Sequence, residues 1–477
     1  MLFRSLIGEA VDYSIYLFVQ SEQNAGDKQH WIKRFWPTIR LGVLTSIVGF
    51  ASLLLSGFPG LAQLGLYAIA GLVAAATTTR FVLPHLLPRN FRIHDVSAIG
   101  ARLVRWTRRA ASLRLPAAVL LLAACAVLVL DRARLWNDKI SSLSPVSQAD
   151  VALDTRLRAD MGAPDVRYLV VVTGQSREQV LHAAGQVSTL LQTQVDQGEL
   201  AGFESPSRYL PDIATQRARQ ASLPPPDVLE TRLAQAVQGL PVRASLFAPF
   251  VAEVAAARTQ PLLRSTDLEQ TSMAMAVQAL LIEQNQQWNA LLPLTAPEAA
   301  DINADKIRAA LGTTGLPNVL FVDMKAESDR LYAGYLHEAI ALSLGGLCAI
   351  VGLLLVLRPP ARVVRIVAPL GAAVITVAAG LIAAGQQLVI LHLVGLLLVV
   401  AVGSNYALFF DHSSAASASV SPRTLASMLF ANLTTVAGFG VLAFSKVSIL
   451  QAMGITVAPG VILALIYAAI FARTSDA

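Results

Sequence analysis

Polar residues are spread unevenly along this chain. Stretches with few or no charges, each near the roughly 20 residues that cross a bilayer as a helix, fall at 2–19, 38–57, 60–83, 113–130, 333–356, 364–385, 386–410, 424–444 and 449–472. Two boundaries lie inside runs long enough for two crossings, at "SGFPG" (56–60) and "GQQ" (385–387), where turn-forming or polar residues break the run. Between the fourth and fifth runs the pattern changes. Segment 131–332 is polar, with short apolar β-type runs at 166–174 and 318–324, helical periodicity over 176–197 and 227–240, and Pro-rich punctuation at "LPPPD" (223–227). The pattern predicts a polytopic α-helical membrane protein of nine spans with a mixed α/β domain of about 200 residues. It divides the chain into four parts: 1–112, three spans and an Arg-rich connector; 113–130, one span; 131–332, the α/β domain; and 333–477, a second membrane half of five spans.

Composition agrees: apolar residues make up 55% of the 477 and charged residues 14%, against about a quarter charged in soluble domains. The net charge of +6 does not point to nucleic acid, because the basic residues gather in three connectors. These hold Lys28, Lys33, Arg34 and Arg40; Arg89, Arg92, Arg102, Arg105, Arg108, Arg109 and Arg114; and Arg358, Arg362 and Arg365. Nine alternating crossings put all three on one side, which the positive-inside rule makes cytoplasmic and which leaves 131–332 outside. Cys125 and Cys348, the only cysteines, fall within spans, so no disulfide framework holds the polar domain. The sequence has no G-x-x-x-x-G-K-[ST] phosphate loop, no H-E-x-x-H and no C-x-x-C spacing, the motifs that would signal ATP-driven transport or a metal site.

The chain also repeats itself. Thr45, Gly49, Phe50, Leu53, Ser56, Leu61 and Gly65 return as Thr434, Gly438, Phe439, Leu442, Ser445, Leu450 and Gly454, all displaced by 389 residues. These seven identities in 21 positions exceed the roughly two expected for unrelated apolar segments. Upstream, Asp12-Tyr13 matches Asn405-Tyr406 at a displacement of 393. Both copies enter the membrane in the same direction, so the repeat is parallel, related by an axis along the membrane normal. The second copy has much more sequence ahead of it than the first. Equal halves therefore imply that about 280 residues are absent before Met1, and that three further spans would complete twelve. No signal peptide is visible at Met1.

"GEAVDYSIYLF" (8–18) with "TSIVGFASLLLSGFPGLAQLG" (45–65), and "GSNYALFF" (403–410) with "TTVAGFGVLAFSKVSILQAMG" (434–454), resemble paired spans of the resistance-nodulation-division superfamily. The branch resembled is that of the MMPL-type predicted exporters of Gram-negative bacteria. The resemblance implies a proton-driven exporter in the inner membrane, with 131–332 as a porter-like domain in the periplasm. It implies lipidic or hydrophobic cargo of the fatty-acid-like or aryl polyene kind, with the bilayer and protons as partners, no cofactor and no metal. A periplasmic carrier or a homo-oligomer are further partners it allows. Relatives in the mycolipid branch carry Asp-Tyr in both halves, whereas the second pair here is Asn405-Tyr406. A non-transporting reading stays open as well, as a sterol-sensing-like lipid receptor or a SecD/SecF-like export accessory.

An acid at membrane depth costs at least a few kcal/mol and so marks a functional position. Asp12 is the expected proton carrier, since desolvation favours its neutral form and water entry its charged form. One proton moving down 100 mV supplies about 2.3 kcal/mol. Glu9 stands three residues earlier on the same helical face, placed to share that proton. Tyr13 and Tyr406 are expected to offer hydroxyls to the opposite copy. Asn405 cannot titrate but has an amide to donate to ionised Asp12. Thr45, Ser46, Thr434 and Thr435 are expected as polar support, and Gly49 and Gly438 as close-packing positions. His392, His337 and Glu338 are placed near the outer boundary. An intramembrane protease is disfavoured, because Glu9 and Asp12 share one helix instead of facing each other.

Overall fold

A computed structural model of the chain describes residues 3–20, 28–86, 96–144, 146, 148–160, 167–297, 301–415 and 420–472, with side chains from Val11 in the first helix and from Trp36 in the second. Two compact units emerge: residues 1–146 with 329–477, and residues 147–328.

The first unit is helical. Its long helices are α1 (Phe3–Gln20), α2 (Lys28–Leu53), α3 (Pro59–Thr77), α4 (Ser97–Ala110), α5 (Arg114–Leu130), α6 (Met324–Leu357), α7 (Pro360–Ala383), α8 (Ile390–Ala415), α9 (Pro422–Leu442) and α10 (Ser448–Phe471). Among the described residues seven segments are long and apolar enough to cross a membrane: Trp36–Leu53, Pro59–Leu86, Met324–Leu357, Pro360–Ala383, Ile390–Asp411, Pro422–Leu442 and Ser448–Phe471. The other two expected spans, 2–19 and 113–130, fall on α1 and α5. The latter is a 17-residue apolar helix, about 25 Å long at 1.5 Å per residue. The chain is thus a multi-pass membrane protein.

The apolar run of α8 goes all round the helix, and such a helix belongs in a core. In its most apolar stretch, within Ile390–Asp411, 89% of the residues are buried, and the helix is enclosed by α2, α7 and α10. Small residues let the backbones approach: a Cβ on Gly460 of α10 would stand 2.3 Å from Val399, and one on Gly403 of α8 would meet Leu370 at 2.8 Å and Ala464 at 2.9 Å. At the end of the bundle Arg114 Nε and Nη2 donate to the carbonyls of Ile470 (3.2 Å) and Ala472 (2.9 Å). These close α10 where its last carbonyls lack helical partners.

The repeat is written into this packing. Under the two displacements α1, α2 and α3 correspond to α8, α9 and α10. The contacts correspond too: α1 packs on α9 and α3, while α8 packs on α2 and α10. Each first helix therefore leans on the second helix of the other copy, the reciprocity a pseudo-twofold requires. Tyr16 and Phe409, mates at a displacement of 393, touch each other with ring centroids 4.8 Å apart. A residue in contact with its own mate lies at the axis.

The second unit is α/β. Its sheet comprises β1 (Tyr168–Gly174), β2 (Gly202–Phe203), β3 (Leu281–Gln284), β4 (Gln287–Thr295) and β5 (Val319–Asp323). The strand order is β2-β4-β1-β5, with β3 also on β4, and all described pairings are antiparallel. Alternate residues of β1, including Tyr168, Val170 and Val172, are buried, as a strand with one covered face demands. They meet Val180, Leu181, Ala184, Val187 and Leu191 of the helix Arg177–Asp196 in one core.

Candidate functional site

Among the expected site residues, Asp12 and Tyr13 on α1 and Tyr406 on α8 are 0% exposed, and Asn405 is 2% exposed. Asp12 and Asn405 each stand four residues before the axis contact of Tyr16 with Phe409, so one helical turn separates each from the centre of the bundle. Glu9 lies on α1 with its side chain outside the described residues.

The polar groups around this point form a seam through α1, α2, α8 and α9. Thr45 Oγ1 on α2 donates to the Gly42 carbonyl (2.8 Å) and lies 3.2 Å from Ser404 Oγ on α8. Thr45 and Ser46, each 1% exposed, line a cavity of about 10 Å³ with Gly49, Ile350 and Ser404, close to the volume of one water. Asn432 on α9 donates from Nδ2 to Tyr406 Oη (3.4 Å) and to the Val461 carbonyl (2.7 Å). Thr435 is 0% exposed, and its hydroxyl makes no hydrogen bond among the described residues.

Asn405 Nδ2, the donor expected for ionised Asp12, has no hydrogen-bond partner among the described residues. Its Oδ1 instead presses on Gly42, where a Cβ would come within 2.0 Å. Thr434 is exposed and spends its hydroxyl on the Ala431 carbonyl (2.8 Å). It is not part of the seam, because neighbours on a helix are turned about 100° apart and only Thr435 points inward. Gly438 is likewise exposed, with nothing within 4 Å of a Cβ built on it, whereas a Cβ built on Gly49 would stand 3.2 Å from Ile350.

The seam also contains residues that reading the sequence passed over. Ser404 and Asn432 are polar where their repeat mates, Val11 and Val43, are apolar, and that mismatch is the signal that marks them. Tyr16, 0% exposed, faces a phenylalanine mate in the same way. Asp411, four residues before the end of α8, is only 7% exposed, beside a small pocket that Arg365 also lines.

The groups placed at the outer boundary have structural duties. His392 Nδ1 accepts from the Val389 amide (2.9 Å) at the start of α8. His337 Nδ1 is bonded to the Ala333 carbonyl of its own helix (2.7 Å). Glu338 Oε1 accepts from the Gly57 amide (2.8 Å) in the turn between α2 and α3.

A second deeply buried acid, Asp212 in the α/β unit, shows what a structural carboxylate looks like. It caps the helix Ile213–Ser222, accepting from Thr215 N (2.9 Å) and Thr215 Oγ1 (2.6 Å), with His182 Nδ1 at 3.3 Å. Burial pushes its carboxyl up, but the Thr215 and His182 hydrogen bonds outweigh that and hold it below the ordinary range. Asp12 sits instead in the interior of a helix, where no cap is needed.

No protein-family model matches the chain, and no curated protein matches it. Among solved structures it is similar to SecDF in its super-membrane-facing form (11% identity, TM-score 0.47; 99% of this chain, 53% of that one). It is similar to SecDF, a translocon-associated membrane protein from Thermus thermophilus (14% identity, TM-score 0.49; 99% and 53%). It is also similar to a heavy metal efflux pump (11% identity, TM-score 0.47; 99% and 61%). The chain thus spans between about half and three fifths of the length of the structures it matches.

Proposed function

We propose that the chain forms the membrane core and one porter-like domain of a proton-coupled exporter of the resistance-nodulation-division kind. It moves lipidic or hydrophobic molecules out of a bacterial inner membrane, with residues 147–328 on the periplasmic side. The observation that carries this reading is Asp12: an acid 0% exposed in the interior of α1, a helix packed on the span α9, one turn from the axis between two copies of a repeat. A carboxylic acid there holds its proton while the bundle is closed and releases it when water reaches it. What supports such a transfer is the set of buried hydroxyls at Tyr13, Tyr16, Thr45, Ser404 and Tyr406. Only the first copy has an acid at this position, so the coupling is asymmetric. Asn405, whose buried amide has no hydrogen-bond partner among the described residues, is the donor that meets the charged form of Asp12 once the two copies shift.

The test is the export of a fluorescent acyl-chain probe from cells, against an imposed proton gradient, by the full protein and by Asp12→Asn. Export should fall at least tenfold in the variant while the protein still reaches the membrane. Undiminished export would end the carrier assignment, and a general defect in secreted proteins on deletion would favour the export-accessory reading.

A further inference from the structure

The helix α4 has three faces, not two. At 3.6 residues per turn, Gly100, Leu103, Val104, Thr107 and Ala110 form one side, and α4 packs on α9 and α10. The fit is close: a Cβ on Gly100 would stand 2.1 Å from the carbonyl oxygen of Pro422, the first residue of α9. Arg102, Arg105 and Arg109 stand on the opposite side, all exposed and without an ion pair among the described residues. Ile99 and Trp106 occupy the flank between those two sides, 41% and 49% exposed.

The level of α4 in the bundle is fixed by its neighbours. It meets α9 where that span begins, and the connector that follows leads into Arg114, which holds the last carbonyls of α10. At 14 residues and with several arginines, α4 is too short and too charged to cross a bilayer. It therefore lies where the spans end, at the depth of the lipid headgroups. Water alone would leave an indole and an isoleucine uncovered, and an apolar protein surface would bury unpaired guanidinium groups at a large desolvation cost. A bilayer boundary suits both kinds of residue, since indoles settle at headgroup level and arginines pair with phosphate.

We propose that α4 is a binding site for acidic phospholipids. Arg102, Arg105 and Arg109 engage the headgroup phosphates, and Trp106 with Ile99 enters the boundary of the acyl chains. The bound lipid clamps α4 onto α9, the helix that carries Asn432 and Thr435.

Two measurements on the full-length protein test this. Reconstituted in nanodiscs whose acyl chains are brominated near the carbonyl, the protein should show tryptophan quenching that is largely lost in Trp106→Phe. Titrated in detergent with phosphatidylglycerol, phosphatidylcholine or inorganic phosphate, it should gain thermal stability from phosphatidylglycerol alone. Joint replacement of Arg102, Arg105 and Arg109 by Gln should weaken the apparent affinity for phosphatidylglycerol in that titration about 100-fold, the three-residue sum of the usual gain per basic residue at an anionic surface. Replacement by Lys should retain most of it. Equal stabilisation by the two lipids, equal stabilisation by inorganic phosphate, or a Trp106 untouched by brominated chains would overturn the site. The first and last outcomes need no glutamine variant, so misfolding of that variant leaves the test intact.

Discussion

The turn between α2 and α3 and the turn between α9 and α10 are the same object in two settings. Ser56 Oγ accepts from the Phe58 amide and Ser445 Oγ from the Val447 amide, each at 3.1 Å. The amides of Leu61 and Leu450 each reach the carbonyl three residues back at 3.0 Å, and Ser56 and Ser445 close the preceding helix in matching fashion. Leu55 and Phe444, mates at the tips, are 75% and 91% exposed. Their surroundings differ. The first turn is held by α6, through Glu338 on the Gly57 amide, Tyr335 against Phe58 (5.4 Å) and Ile350 against Gly49. No described helix takes that place beside α9, and Thr434, Ala437, Gly438 and Val441 stand exposed. A local sequence can thus set a turn completely while leaving its environment unspecified.

The largest effects should come where the two copies are alike. Gly65 and Gly454 both meet backbone: a Cβ would stand 2.8 Å from the Phe50 carbonyl oxygen in the first copy and 2.2 Å from Ala443 N in the second. Backbone cannot swing aside, so Gly→Ala should cost about 1–2 kcal/mol at Gly65 and about 3 at Gly454, read as thermal unfolding of the full chain in detergent. A neutral result at either position would break the equivalence of the two turns.

The next test separates the copies. Gly49→Leu must displace Ile350 and should cost about 1–3 kcal/mol, whereas Gly438→Leu enters open space and should stay within about 0.5 kcal/mol. Similar losses at both sites would show that the second copy is covered as the first is. The smallest difference is expected at the threonines. Thr45→Val removes a buried hydroxyl contact with Ser404 and should cost about 0.6 kcal/mol, typical of hydrogen bonds between membrane helices, while Thr434→Val should be silent. A double-mutant cycle of Thr45→Val with Ser404→Ala should find coupling of that size, and additivity would mean the hydroxyl pair does not form.

Much of this was legible beforehand. Long uncharged runs announced the spans, short apolar β-type runs announced β1 and β5, and the displaced identities announced two turns whose hydrogen bonds match. Asp12 stood out because an acid is expensive at membrane depth. Thr434 and Gly438 depart from expectation because identity to a buried mate is not identity of environment. The exposure of a helix position depends on which neighbour faces it, and the repeat carries no record of that neighbour. Ser404 and Asn432 were passed over for the complementary reason, since they lie where the repeat fails and a search for likeness skips them.

The sequence by itself determined what needs only near neighbours along the chain: which segments are helices, where they turn, and that the acid occurs in one copy alone. These follow from hydropathy, from serine and glycine at the turns, and from backbone hydrogen bonds that close within a few residues. Only the tertiary structure decided which faces meet. It put Tyr16 on Phe409 at the axis, left the Asn405 amide without a hydrogen-bond partner among the described residues, and gave α6 to the first copy. Those outcomes depend on the packing of residues hundreds of positions apart, where a single Cβ at Gly42 or Gly460 would forbid the contact.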